Sequence, residues 1–100
     1  MEIMRSNSST GELEAFARSR TMAYQPEAGK VCCRVLGKFS MILPCCDLSI
    51  TPHLVMDGYW ESWVTRLLLS IVQKGWRCVN VGANVGYYSL LLSELVGKTG

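Results

Sequence analysis

The stretch that decides the fold of this 100-residue chain is Val79-Asn80-Val81-Gly82-Ala83-Asn84-Val85-Gly86. A short apolar run ends in this stretch, glycines follow, and a helical pattern begins at once. A strand that turns into a helix through glycines is typical of an open α/β sheet, where ligands bind at the carboxyl ends of the strands. We therefore predict a strand over residues 77–81, a loop over 82–86 and a helix over 87–96.

An amphipathic helix is predicted immediately before that strand. Between Trp60 and Val72, apolar residues recur at intervals of three and four, with polar residues mostly on the other side. Lys74 and Gly75 supply the cation and the glycine that commonly end a helix. The order helix, strand, glycine loop, helix predicts that residues 59–100 open an α/β domain.

The first part of the chain, residues 1–29, is predicted to be a polar segment with one short helix. Ser9 and Glu12 have the spacing of a capping box, in which each side chain bonds the backbone of the other. The helix is expected over residues 10–20. Proline and glycine then predict a loop over residues 25–29.

Residues 30–58 are predicted to form a small antiparallel β lead-in. Two strands, at residues 31–36 and 39–43, are joined by the glycine-containing pair 37–38, which is typical of a hairpin turn. A third extended segment is expected over residues 49–56.

The charge and composition of the chain exclude some classes of binding partner. The formal net charge is +2 and no run of like charges occurs, so neither nucleic acid nor an anionic membrane is an expected partner. No apolar run approaches the ~18–20 residues that a membrane helix needs. The N-terminus also lacks the apolar core of a secretory signal, and we expect a cytoplasmic protein.

The five cysteines do not predict a metal centre. Cys32-Cys33 and Cys45-Cys46 are adjacent pairs, whereas structural zinc sites draw their ligands from spaced pairs. We expect the cysteines to act as small apolar residues, and we expect no metal site. The single histidine, His53, has no acid or nucleophile partner in the sequence pattern, and a surface or structural role is expected.

Two phosphate-binding motifs do not fit the glycine loop. A dinucleotide fingerprint that starts at Gly82 needs glycine where Asn84 and Tyr87 stand, and a P-loop needs glycine and lysine at Tyr87 and Tyr88.

Residues 79–91 closely resemble the first motif of FkbM-type methyltransferases, whose loop is typically written D-x-G-A-N-x-G. Gly58-Tyr59-Trp60-Glu61 stands where that family often has a G-x-x-E element, and residues 96–100 resemble its turn into the second strand. The resemblance covers about residues 47–100. It implies an incomplete Rossmann-like class I methyltransferase fold, S-adenosylmethionine as cofactor, and O-methylation of a small molecule or sugar.

The resemblance also implies a set of cofactor-binding residues. Gly82 and Gly86 would let the backbone approach the methionyl part of the cofactor. Asn84 would fix the loop by bonding its own backbone, Tyr87 would line the pocket, and Glu61 would reach the amino-acid end. The full implied set is Glu61, Asn80, Val81, Gly82, Ala83, Asn84, Gly86 and Tyr87.

Asn80 departs from the family pattern, which usually has an acidic residue at this place. An amide keeps hydrogen bonding but loses the charge that would favour the cationic centres of the cofactor. A weaker affinity for the cofactor is therefore expected.

The extent of the motif predicts an N-terminal fragment. No second parallel strand and no ribose-binding acid follow the loop before Gly100. We expect weak or no binding of S-adenosylmethionine by these residues alone, and no catalytic residue is assigned. Two alternatives stay open: a non-catalytic interaction module that self-associates through its unfinished sheet, and a nucleotide-binding enzyme of another Rossmann type.

Overall fold

The computed structural model describes residues 8–100 as a small α/β domain with a three-stranded antiparallel sheet and four helices. The elements are α1 (Thr10–Ser19), β1 (Ala23–Glu27), β2 (Lys30–Val35), β3 (Phe39–Pro44), α2 (Thr51–Asp57), α3 (Ser62–Ile71) and α4 (Tyr87–Val96). Within residues 8–100, none of the helices has the length and apolar content that crossing a bilayer requires.

The predicted capping box at the start of α1 is confirmed. The Glu12 amide donates to Ser9 Oγ at 3.1 Å, and the Ser9 amide donates to Glu12 Oε1 at 3.3 Å. Two of the helix's unpaired amide groups are thereby satisfied. The cap fixes where the helix begins, and Leu13 and Ala17 then face the core with no exposed surface.

The predicted hairpin is confirmed, with a turn one residue longer than expected. β2 lies in the middle of the sheet and pairs antiparallel with both β1 and β3. Leu36 and Gly37 both have positive φ, at 54° and 68°, and Lys38 N donates to Val35 O at 3.1 Å. Two successive left-handed residues match the twist of a hairpin, which explains why Leu36 belongs to the turn.

The loop expected over residues 25–29 is wrong, because Ala23–Glu27 forms the edge strand β1. Its register shifts between Tyr24 and Glu27, and Pro26 lies within this shift. An edge strand tolerates a proline because one row of its backbone groups needs no partner. Pairing with β2 therefore overrides the local turn signal.

The extended segment expected over residues 49–56 is also wrong, because α2 occupies this place. Asp47 Oδ2 accepts from the amides of Ile50 at 3.1 Å and Thr51 at 2.8 Å, which satisfies donors at the start of the helix. Pro52 lies in the first turn, where a missing N–H costs nothing. Ser49 Oγ also donates to Asp47 Oδ1 at 2.7 Å, and the hydrogen bonds from Ser49 and Thr51 hold the pKa of the Asp47 carboxyl well below its usual range.

The strand expected over residues 77–81 is wrong for the described chain. This segment has no regular secondary structure and pairs with none of the three strands. Val79 and Val81 are 88% and 90% exposed. A strand exists only through hydrogen bonds to a neighbour, so an apolar alternating pattern cannot form one alone.

The amphipathic helix before this segment is confirmed but ends earlier than expected. α3 stops at Ile71, and Gly75 lies in the following turn with φ of 86°. The Gly75 amide donates to Val96 O at 2.8 Å, so this glycine joins the turn to the end of α4. The shared core lies between the sheet and the helices and includes Leu13, Cys33, Val35, Leu43, Leu54, Leu69, Leu91 and Leu95.

Gly58, which ends α2, offers a test of how closely the helices pack. Its φ is 74°, and a Cβ there would lie 2.9 Å from both Ala17 O and Thr21 Cγ2. Gly29 has a similar φ of 81°, but a Cβ there would meet nothing within 4 Å.

We predict that Gly29→Ala lowers the free energy of unfolding by about 1–2 kcal/mol, which is the cost of a left-handed alanine. Gly58→Ala should cost at least about 1 kcal/mol more, because the α1 backbone must also move. Urea unfolding of both variants measures the difference. Equal losses would mean that α1 does not lie against Gly58.

Candidate functional site

The glycine loop joins the exposed 77–81 segment to α4 and owes its shape to left-handed residues. Gly82 has φ of 69°, Asn84 of 52° and Gly86 of 96°. A Cβ at Gly82 or Gly86 would meet nothing within 4 Å. The backbone conformation therefore favours glycine at both positions, and the space beside them is open to a ligand.

A cavity of about 200 Å³ opens beside this loop, and we call it the glycine-loop cavity. Six of the eight residues implied by the resemblance line it: Glu61, Asn80, Gly82, Ala83, Asn84 and Tyr87. Val81 and Gly86 do not. Val81 is 90% exposed, and Gly86 is the N-cap of α4 and lines a neighbouring groove beside β3.

Four further residues line the cavity: Ile50, Trp60, Val85 and Tyr88. The helical spacing assigns Trp60 to the core, and nothing in the sequence pattern links Ile50 to the loop. The adjacent pair Tyr87-Tyr88 is the one signal that could have indicated this wall, since neighbouring aromatic residues at a helix start cannot both face the core.

Among residues 8–100, Glu61 is the only charged side chain in the wall of the glycine-loop cavity. Its backbone is left-handed, with φ of 43°, and it is the N-cap of α3. Tyr88 Oη donates to Glu61 Oε1 at 2.7 Å. Burial raises the pKa of Tyr88, and this hydrogen bond and the charge of Glu61 raise it further. A carboxylate accepts several hydrogen bonds, so Glu61 keeps acceptor capacity for a cation.

Tyr87 fixes the start of α4 through a buried hydrogen-bond chain. Thr65 Oγ1 lies 2.8 Å from both Trp60 O and Tyr87 Oη. A threonine hydroxyl can donate only one hydrogen bond, and Thr65 Oγ1 donates it to the Trp60 carbonyl. Tyr87 Oη must therefore be the donor in its bond with Thr65 Oγ1. Tyr87 is 2% exposed and Thr65 is fully buried. The chain therefore joins α4 to the turn that carries Trp60 and Glu61.

The two asparagines of the loop make different contacts. Asn80 Nδ2 donates to Ser89 Oγ at 3.0 Å, so this amide holds the segment against α4. Within the described residues the Asn84 side chain makes no hydrogen bond, which corrects the expectation that it bonds its own backbone. Asn84 instead supplies a left-handed φ, which asparagine tolerates better than most residues.

The cavity thus offers two kinds of contact to a ligand. Glu61 and the rings of Trp60, Tyr87 and Tyr88 favour a cation. No side chain caps the first turn of α4, whose amide groups and dipole favour an anion. A group that carries both charges, such as the head group of an amino acid, matches this arrangement.

The cysteines contribute no site. All five are free; Cys32 and Cys33 are buried, whereas Cys45, Cys46 and Cys78 are exposed. Burial raises the pKa of the Cys33 thiol to about 11, so it stays protonated at neutral pH. Over residues 8–100, no three His, Cys, Asp or Glu side chains are grouped so that they could hold a metal ion.

Comparison of the chain with family models, curated proteins and solved structures found no match. The likeness of residues 79–91 to the FkbM motif therefore stays a prediction from those residues.

The buried Tyr87 hydroxyl gives a test that depends on pH. Burial raises its pKa to about 12, although the bond to Thr65 partly offsets this rise. An unfolded tyrosine ionises near pH 10, so the unfolded state loses its proton first. Stability from Tyr87 is complete below about pH 10 and is lost as the pH rises through about 12.

We predict that Tyr87→Phe lowers the free energy of unfolding at neutral pH by about 1 kcal/mol, through loss of one hydrogen bond. The variant should also lose less stability than the natural chain between neutral and strongly alkaline pH. Urea unfolding across this range measures both effects. The same alkaline loss in both proteins would contradict the buried position of the hydroxyl.

Proposed function

We propose that the chain forms the amino-acid side of an S-adenosylmethionine site in an FkbM-like methyltransferase, which methylates a hydroxyl group of a small molecule or sugar. The observation that carries the proposal is the convergence of Glu61 with the glycine loop around one cavity. The G-x-x-E element and the glycine loop are separated by about twenty residues of sequence, yet residues of both line the glycine-loop cavity.

The chemistry of the cofactor matches the walls of the glycine-loop cavity. S-adenosylmethionine carries a cationic sulfonium, an ammonium group and a carboxylate. Glu61 and the aromatic rings suit the cations, and the uncapped start of α4 suits the carboxylate. The volume of about 200 Å³ is below the usual range for a complete ligand site. We therefore infer that the cavity takes the methionyl part and that the adenosine part lies outside it.

The proposed Rossmann-like fold draws support from the segment before the loop. The order α3, residues 77–81, glycine loop and α4 is the order in which such a fold opens. Val79 and Val81 are almost fully exposed, and helices packed on the face of a parallel sheet would cover them. Residues 8–100, which form no parallel strand pair, would bind the cofactor only weakly, because the ribose-binding group of such a fold follows a second parallel strand.

The exposed valines also favour a second candidate, a non-catalytic module that pairs this segment with another chain. Unpaired backbone beside apolar side chains is a template for strand addition. Concentration-dependent self-association without any response to the cofactor would favour this candidate.

The proposal is tested by titrating the isotope-labelled 100-residue chain with S-adenosylmethionine, observed by nuclear magnetic resonance. We expect saturable shifts of the Asn84 side-chain amide and the Trp60 indole, with a dissociation constant weaker than micromolar. Glu61→Gln should weaken binding roughly threefold or more, because a charge-assisted contact becomes neutral.

Glu27→Gln is the matched control, since this substitution removes the same charge from an exposed edge strand and Glu27 does not line the glycine-loop cavity. It should leave the affinity unchanged. The proposal would be abandoned if the cofactor caused no saturable shift at either reporter group, or if NAD caused the same shifts with equal affinity.

A further inference from the structure

A second cavity, of about 400 Å³, shares Trp60 and Glu61 with the glycine-loop cavity. We call it the acidic–aromatic cavity. Its volume falls within the range of small-molecule sites. Three helices and a turn contribute to it: Glu14 from α1, His53 and Asp57 from α2, Tyr59 from the turn, and Trp63 from α3. It therefore exists only because the three helices pack together.

The walls of this cavity combine ring faces with carboxylates. Trp60 and Trp63 supply two indole rings, and the His53 ring lies 5.4 Å from that of Trp60. The Tyr59 ring also lines the cavity, but the Arg18 guanidinium already lies 5.6 Å from its centroid. Trp63 is 67% exposed, so it stands at the rim, where a ligand would cover it. Aromatic walls around a concave space are the usual way to bind the apolar body of an organic cation.

Polar contacts hold the Glu14 carboxylate in place. Ser62 Oγ, on a residue that is 2% exposed, donates to Glu14 Oε2 at 2.6 Å. This bond fixes one oxygen and leaves acceptor capacity on the carboxylate. An oriented carboxylate beside ring faces can receive an ammonium group without a large loss of side-chain freedom.

The balance of charge at the cavity is negative. Three carboxylates line it, those of Glu14, Asp57 and Glu61. Arg18 pairs with one of them, its Nε lying 3.4 Å from Asp57 Oδ1, and its Nη2 donates to Tyr59 Oη at 2.9 Å. His53 Nδ1 lies 3.8 Å from Asp57 Oδ2 and carries a charge only when protonated. The Arg18 guanidinium, which is not part of the wall, offsets only part of this charge, so the net charge at the cavity is negative, which favours a cationic ligand and disfavours an anionic one.

We infer that the acidic–aromatic cavity binds a small organic cation, an alkylated or primary ammonium group on an apolar body. Because the two cavities share Trp60 and Glu61, the cation would lie next to the proposed cofactor. If the neighbouring site holds S-adenosylmethionine, the bound cation would be a methyl acceptor that carries an amine. Only this identification of the cation as the acceptor rests on the proposed function. Binding of the cation does not.

The test uses choline as the probe, without S-adenosylmethionine, on the same isotope-labelled chain. His53 and Trp63 line only the acidic–aromatic cavity, whereas Asn84 lines only the glycine-loop cavity. Choline should shift the His53 and Trp63 signals saturably and leave the Asn84 amide unchanged. The neutral analogue with carbon in place of the quaternary nitrogen should bind much more weakly, and added salt should weaken choline binding.

Variants separate charge from general structure. Glu14→Gln keeps an acceptor for Ser62 and should weaken choline roughly threefold or more, whereas Glu27→Gln should not change it. Trp63→Leu changes only an exposed residue at the rim, so this variant should fold normally and still test the site if Glu14→Gln perturbs folding. It should also weaken binding.

Each of several outcomes would overturn the inference: no saturable shift with choline, equal binding of the neutral analogue, or unchanged affinity in both Glu14→Gln and Trp63→Leu. The result is distinct from that of the cofactor titration. Choline shifts at His53 and Trp63 without cofactor shifts at Asn84 would support the cation site and remove the proposed function.

Discussion

The hydrogen bond from Tyr87 to Thr65 is the contact that joins the glycine loop to the turn shared by both cavities. The side chains of both residues are almost fully buried, and the Thr65 hydroxyl in turn donates a hydrogen bond to the Trp60 carbonyl. A buried hydroxyl without a partner would cost about 1–3 kcal/mol, so neither residue can move away without loss. The bond therefore holds the start of α4, and with it the glycine loop, against the turn at Trp60 and Glu61.

The parts of the fold that could be predicted are those with strong local signals. The capping box of α1, the β2–β3 hairpin, α3 and α4 each have a signature within a few residues. The errors occurred where position in the structure decides the meaning of a residue. Pro52 suggests a break in the sequence, but it lies in the first turn of a helix; Pro26 suggests a loop, but it lies on a sheet edge.

Residues 77–81 show the opposite case, a good local pattern without the neighbour that would make it a strand. No local signal can supply the hydrogen-bond partner, and as a result Val79 and Val81 remain exposed.

The predictability of the site also depended on whether a residue lies within a local motif. The two motifs contain the six implied residues that line the glycine-loop cavity, and Trp60 and Tyr88 also lie within them, but Ile50 reaches the cavity through packing of a separate element. The acidic–aromatic cavity, made by three helices, has no sequence signature.

Trp60 and Glu61 line both cavities, so the turn that carries them connects the two proposed sites. The most direct test is the 2.7 Å hydrogen bond between Tyr88 and Glu61, two residues that line the glycine-loop cavity. A double-mutant cycle of Tyr88→Phe and Glu61→Gln, measured by urea unfolding, gives its coupling energy. A coupling of about 1 kcal/mol or more is predicted for a bond to a carboxylate. Additive losses, within about 0.3 kcal/mol, would mean that the loop helix and the Glu61 turn do not meet, and would contradict the site.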